Sequence, residues 1–376
     1  MTTLFNSIFN LDQTSYWLLV IWWFGAGIIL RAMPKKEVLV CGQRRRLWHW
    51  VTVVMMVLPY ILWTGYRSFV GDTGAYARHF LNSTASLGEL RQTIISSEDW
   101  GFYSLMIVLK MLGVQTYRAY FLIMAAIQLW CMTYIFRRYS TSFWTSFFMF
   151  IASTDYISWM QNGMRQFTAV CITFAAFELL VRRKYIWFTG VILFASTFHA
   201  SALLMLPFAY VMNGSALNRK SFLMIGVVAL MIPLMDSLTP IMESMLADTQ
   251  YGDVIGGEIW LNDDGTNIIR VLVYSVPALL SLLGFRYILN SRDRAANLCI
   301  NASMITMAVY LVSAVTSGIY IGRIPIYTTL HGYLVMPWLI DQIFEKMTAR
   351  LIKLLLVLFY LAFFVYQMNQ WGLLFQ

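Results

Sequence analysis

Apolar stretches of membrane-crossing length recur from one end of this 376-residue sequence to the other, with short polar joints between them. A bilayer core offers the backbone no water, so such stretches must satisfy their own hydrogen bonds as helices of about 20 residues. Hydrophobic residues make up 59% of the chain and charged residues 12%, whereas a soluble domain is about half apolar and a quarter charged. The sequence therefore predicts an all-α polytopic membrane protein with one membrane domain over residues 1–376 and no separate soluble domain.

A net charge of +9 raises the question of nucleic acid, but the basic residues gather in joints at 31–46, 137–138, 182–184, 219–220, 292–294 and 346–353. Basic clusters at span ends mark the cytoplasmic side, with attraction to membrane lipids as a secondary effect, and no nucleic-acid partner is implied. Threading the chain with those joints inside gives spans at 16–30, 47–66, 117–136, 143–160, 165–181, 185–198, 200–212, 221–236, 268–289, 297–315, 324–340 and 351–370, about twelve in all. Residues 1–15 lack a basic start and a small-residue cleavage site, so the first run is expected to be retained, with the amino terminus outside. Large outer loops remain at about 67–116 and 237–267, with a short one at 318–323. Within the first, residues 87–113 are expected to form helices on the outer membrane surface, with Trp100, Phe102 and Tyr103 at headgroup depth. Cys41, Cys131, Cys171 and Cys299 are scattered and suggest neither a disulfide frame nor a zinc site.

Ionisable side chains interrupt the apolar pattern at a few places. In the first outer loop Gly71 and Gly74 bracket Asp72, which is read either as a helix cap or as an acid held toward a site. Glu98 and Asp99 follow; Asp99 reads best as the cap of a helix starting near Trp100. Gln161, Asn162, Arg165 and Gln166 are expected to present donors on one helical face. Arginine supplies a planar fork suited to phosphate, against the alternative of snorkelling to headgroups. His199 lies at the polar apex Ser196-Thr197-Phe198-His199-Ala200-Ser201 between two short apolar runs; it is read as a donor, a proton carrier or a structural residue. Arg67, Arg78, Arg91, Arg165 and Arg323 all break the positive-inside pattern and need anionic partners. Most acids of the 237–267 loop read as solvated. No Walker loop, GxGxxG, GxSxG or HExxH occurs, which argues against nucleotide-driven chemistry.

Gly71-Asp72-Thr73 with Tyr76, Glu98 with Gly101 and Tyr103, Met164-Arg165-Gln166, and Ala195 to Ala202 with Pro207 together resemble the EpsG family of Wzy-like polysaccharide polymerases. A weaker echo continues at Arg323, Tyr327 and Pro337. The resemblance implies a GT-C-like glycosyltransferase of the bacterial inner membrane with its active site facing the periplasm. It would transfer a growing O-antigen or exopolysaccharide glycan from undecaprenyl pyrophosphate onto a lipid-linked repeat unit. Asp72 would then be the base, with Glu98 in reserve and His199 as a catalytic donor. Arg67, Tyr76, Arg165, Gln166 and Arg323 would bind the pyrophosphate and substrate. No cofactor is implied, and metal dependence stays open. A chain-length regulator and a flippase are the expected partners. The alternative functions are a lipid-linked oligosaccharide flippase or transporter, and an O-antigen ligase.

Overall fold

The computed structural model describes residues 16–40, 43–67, 71–231, 265–318 and 320–371. The chain divides into two compact units, the first comprising Met1–Leu204 with Arg350–Gln376, the second Met205–Ala349. All six acids of the 237–267 loop, Glu243, Asp248, Asp253, Glu258, Asp263 and Asp264, lie outside the described residues.

In the first unit α1 (Tyr16–Ala32) leads into an antiparallel hairpin, β1 (Lys35–Val40) and β2 (Gln43–Trp48). Apart from this short hairpin the described elements are helices, in keeping with the expected all-α architecture. The basic joint supplies two six-residue runs, Lys35-Lys36-Glu37-Val38-Leu39-Val40 and Gln43-Arg44-Arg45-Arg46-Leu47-Trp48, each charged or polar in its first half and apolar at its end: Lys35 stands opposite Trp48 and Glu37 opposite Arg46. Arg45 Nη1 donates to the Tyr139 carbonyl at 2.6 Å, so the hairpin is tied to the carboxy-terminal end of α6 (Tyr117–Tyr139), where a cation meets the negative helix end.

Helix α2 (Trp50–Tyr66) packs on α1 through a tyrosine relay. The Tyr60 hydroxyl donates to the Leu19 carbonyl at 2.7 Å, and the Tyr156 hydroxyl to the Tyr60 carbonyl at 2.8 Å. Trp23 stacks on Phe147 at 4.5 Å between centroids and fills the same core.

The run expected to span 143–160 is broken. Helix α7 (Phe143–Ala152) ends at Ser153, Thr154 takes a left-handed φ of 66°, and a π-helix (Tyr156–Asn162) follows. After Gly163 the chain resumes as α8 (Met164–Ala175) and α9 (Phe177–Val181). Wide π turns are frequent at functional sites. Helices α6 and α8 run parallel: Gln128 Nε2 donates to Thr168 Oγ1 at 2.9 Å, and Arg138 Nη2 reaches Glu178 Oε1 at 3.2 Å. On that register Arg165 is level with Ala125, about eight residues or roughly 12 Å along α6 from its start.

The 67–116 loop, expected outside the membrane, folds as α3 (Thr73–Asn82), α4 (Leu87–Ser96) and α5 (Trp100–Met111). Helix α4 opens with Ser86 accepting from the Glu89 amide at 3.1 Å while Glu89 reaches back to Thr84, so each end of the turn satisfies the other. Phe102, expected at headgroup depth, is 1% exposed and packs against Tyr76 and Tyr120. The loop has its own core, which draws this ring inward.

Helix α10 (Tyr185–Ser196) and a 3-10 turn (Ala200–Leu204) complete the described helices of this unit, with α17 (Lys346–Gln370) reaching it through its carboxy-terminal part. The second unit holds α11 (Met205–Met212), α12 (Arg219–Met231), α13 (Ile268–Leu283), α14 (Phe285–Ile288), α15 (Arg294–Ser313) and α16 (Ile326–Ile343). Helix α15 is its buried centre: Asn301 donates to the Met212 carbonyl at 2.9 Å, Thr306 to Thr328 at 2.8 Å, and Tyr310 stacks on Tyr274 at 4.9 Å.

Against the twelve expected spans, four helices among the described residues are long and apolar enough to cross a membrane: Tyr117–Tyr139, Met164–Val181, Arg294–Ser313 and Lys346–Gln370. Seven shorter apolar helices stand beside them. Breaks such as Ser153–Asp155 divide one expected span into pieces, while Tyr16–Ala32 and Trp50–Tyr66 are continuous apolar helices of 17 residues each.

Candidate active site

Three separately encoded segments of the first unit meet around Arg165. Met164 opens α8 directly after Gly163, so Arg165 projects from the first turn of that helix with its side chain 39% exposed. Its Nη1 donates to Asp99 Oδ2 at 2.7 Å, and its guanidinium lies 5.8 Å from the centre of the Tyr103 ring. Asp99 was expected to cap α5. It makes no side-chain capping bond there and, at 7% exposure, turns its carboxylate to Arg165 instead. Burial pushes the Asp99 carboxyl above its ordinary value; Arg165 pulls it down, and neighbouring Glu98 pushes it up. Glu98 itself is exposed.

The same junction reaches the apex after α10. The Gly101 amide donates to the Thr197 carbonyl at 2.8 Å. A Cβ on Gly101 would stand 2.0 Å from Thr197 Oγ1 and 3.0 Å from its carbonyl carbon, so only glycine permits the approach. Beyond Thr197, His199 Nδ1 lies 2.6 Å from Ser201 Oγ, to which buried Gln166 Nε2 donates at 3.4 Å. His199, Ser201 and Gln166 thus form a polar chain running back to the residue after Arg165.

The Asp72 segment approaches from the other side. Gly71 has φ +55° and a Cβ there would lie 2.1 Å from Asn162 Oδ1, which accepts the Asp72 amide at 2.8 Å. Asn162 therefore clasps the backbone of Asp72, and the exposed carboxylate makes no capping bond to α3. That removes the cap reading of Asp72. Tyr76, one turn on, feels both charges: burial raises its phenol, the hydrogen-bonded Arg165 lowers it, and Asp72 raises it. The four donors expected on one helical face do not share one, because the π-helix and Gly163 separate Gln161 and Asn162 from Arg165. Gln161 is buried, accepting from the Tyr16 hydroxyl at 2.9 Å.

Arg67 is placed otherwise than a substrate contact requires. It is 7% exposed and donates through Nε to Thr73 Oγ1 at 2.9 Å, through Nη1 to the Thr64 carbonyl at 3.0 Å and through Nη2 to the Gln161 carbonyl at 3.1 Å. Its guanidinium also covers the Phe121 ring at 4.3 Å. Burial lowers its pKa to about 10, so it stays charged at neutral pH and pins α2, α3 and the π-helix together. Anionic partners were expected for the outward arginines. For Arg165 the protein supplies one, and for Arg67 carbonyls and an aromatic face stand in. Arg323 belongs to the second unit, half-buried in the 3-10 turn Ile321–Arg323.

A polar groove of about 690 Å³ lies between α3, α4 and α5, sharing Tyr103 with the Arg165 site. His79 lies tilted against Tyr103 at 4.4 Å between ring centres, while Asn82, Gln92 and Thr93 line the groove with side-chain donors and acceptors. Burial and the Arg165 charge both lower the His79 pKa, with Glu89 opposing them. Among the described residues no three His, Cys, Asp or Glu side chains converge as metal ligands would. Sequence reading passed over Asp155, 2% exposed at the break after α7 and hidden inside an apolar run, and took Asp99 for a cap although it was legible as the anionic partner that Arg165 needs.

The family model described as EpsG family matches residues 50–371 and takes in every one of these segments. The chain belongs to the EpsG family. No curated protein and no solved structure matches it. EpsG proteins are Wzy-like and exopolysaccharide polymerases, and membership makes this chain a membrane-embedded member of that polymerase group. For an EpsG protein, an Arg–Asp pair beside a groove rich in hydroxyls and amides is a chemically sensible arrangement.

Proposed function

We propose that the first unit transfers a growing glycan from undecaprenyl diphosphate to a sugar hydroxyl of a lipid-linked repeat unit, at the periplasmic face of the bacterial inner membrane. The observation that carries this reading is the half-exposed Arg165 guanidinium bonded to Asp99, with the Asp72–Tyr76 segment reaching it through Tyr76 and the Thr197–Ser201 segment bonded to Gly101 and Gln166 beside it. In the reaction the bond from the anomeric carbon to the diphosphate oxygen breaks, and a bond to the acceptor hydroxyl oxygen forms. Negative charge develops on the leaving diphosphate, and positive character on the sugar ring. Arg165, oriented by Asp99, stabilises the leaving group more in the transition state than in the ground state. Gln166 and His199 supply hydrogen bonds next to it. Asp72, its carboxylate uncommitted to a cap, accepts the proton released by the acceptor hydroxyl. The groove beside Tyr103 suits the sugar part of a substrate, with neutral donors for hydroxyls and an aromatic face for the ring.

Complementation of a deletion strain tests the assignment. With Asp72→Asn the protein is expected at wild-type level in the membrane, while surface glycan collapses from a ladder to single repeat units. A full ladder from that variant would remove Asp72 from the chemistry. Complete loss of capped lipid, rather than single units, would favour ligase or flippase function.

A further inference from the structure

A second site lies at the end of the first unit that gathers the basic joints. A cavity of about 520 Å³ is lined by Arg31 at the end of α1, Lys35 and Arg46 from the two strands, and Arg137 near the end of α6. The cations are held by aromatic faces and carbonyls. Lys35 Nζ lies 4.2 Å over Trp48, and Arg137 donates to the Trp48 carbonyl while lying 4.8 Å from the Trp50 ring. Arg46 has a carboxylate partner, Glu37 at 3.2 Å, on the exposed side of the hairpin. Among the described residues Arg31 and Lys35 have none, so the cavity keeps a net positive charge. Its other wall is apolar, with Ile28 and Leu354 on helix faces turned outward and Phe24 half-buried against Trp144. The start of α7, capped by Ser142, adds the positive end of a helix.

Concentrated positive charge above an outward apolar wall matches an anion carrying hydrocarbon chains. We propose that this cavity binds the headgroup phosphate of one anionic phospholipid in the cytoplasmic leaflet, with its acyl chains along Phe24, Ile28 and Leu354. The leaflet follows from the positive-inside rule. The inference is independent of the polymerase reading, since it uses none of the residues around Arg165.

Native mass spectrometry of the full chain in mild detergent tests it, with dioleoylphosphatidylglycerol, dioleoylphosphatidylcholine and inorganic phosphate titrated separately and in competition. One phosphatidylglycerol is expected to remain bound with about tenfold preference over phosphatidylcholine, and Arg31→Gln with Lys35→Gln should weaken it by about tenfold or more. Both side chains are exposed, so the double variant should keep the wild-type circular dichroism spectrum, and Arg219→Gln in the second unit should bind lipid like the wild type. Equal retention of the two lipids, or unchanged phosphatidylglycerol binding by the double variant, would overturn the proposal. Displacement of the lipid by millimolar inorganic phosphate would make the cavity a free-anion site, and would also overturn it.

Discussion

At the scale of single residues, the chemistry around Arg165 depends on which charges are compensated within the protein. The guanidinium is not a bare cation awaiting substrate, because Asp99 fixes one edge at 2.7 Å and Tyr103 lies beside it. Such anchoring orients the fork at the cost of part of its field. His79 reports on the same field, since burial and Arg165 both resist its protonation. In the unfolded chain the imidazole takes up a proton near its ordinary value of 6.5. The folded protein therefore binds fewer protons over a window below that value, and stability falls as pH drops through it. Thermal melts of the detergent-solubilised protein at about pH 7.5 and 5.5 should show this loss, reduced in His79→Gln. An identical loss in the variant would place the effect elsewhere. Much of this residue-level picture was legible. Arg165, Gln166, His199 and Asp72 were all singled out from polar interruptions, and the structure gathers them in one unit. Arg67 misled because burial by Phe121, Thr73 and the π-helix is a tertiary outcome that no local spacing encodes.

At the scale of elements, glycines decide whether the loop helices can dock. Gly101 begins α5 in backbone contact with Thr197, and Gly71 turns the chain at positive φ against Asn162. Gly101→Ala inserts a methyl that overlaps Thr197 Oγ1, which can rotate, and crowds a backbone carbon, which cannot. The expected outcome is a folded membrane protein whose α5 is displaced from the end of α10, with polymerisation lowered about tenfold to a hundredfold, as 1 Å misplacements near a reacting centre do. Glycan chain length in complemented cells and cysteine crosslinking between α5 and α10 check the two halves of that statement. Wild-type activity with wild-type crosslinking would mean that the contact is dispensable. The sequence pattern predicted helices in this loop and a start near Trp100, both of which hold. It missed the π-helix, because a wide turn has the same apolar composition as the α-helix it interrupts. It also missed the hairpin, because six arginines and lysines in the 31–46 joint read first as a topology signal.

At the scale of the whole molecule, apolar composition dictated a helical membrane protein, and the family match over residues 50–371 agrees with the motif order. What composition could not provide was where long runs break, and these breaks carry the site: Ser153–Asp155 before the π-helix, Gly163 before Arg165, Thr197–His199 before the 3-10 turn. The polymerase thus places its polar groups where helices stop, so that backbone and side-chain donors become available without an exposed polar ladder in lipid. The central claim is that Arg165 stabilises a departing diphosphate in glycosyl transfer. Its most direct measurement is polymerisation by the purified protein of a synthetic undecaprenyl-diphosphate-linked repeat unit, following polymer length and free undecaprenyl diphosphate together. The account predicts that the wild type releases one diphosphate lipid per bond formed, and that Arg165→Lys, melting like the wild type, loses about a hundredfold or more in rate. A lysine variant with the wild-type rate, or polymer formed without release of the diphosphate lipid, would contradict it.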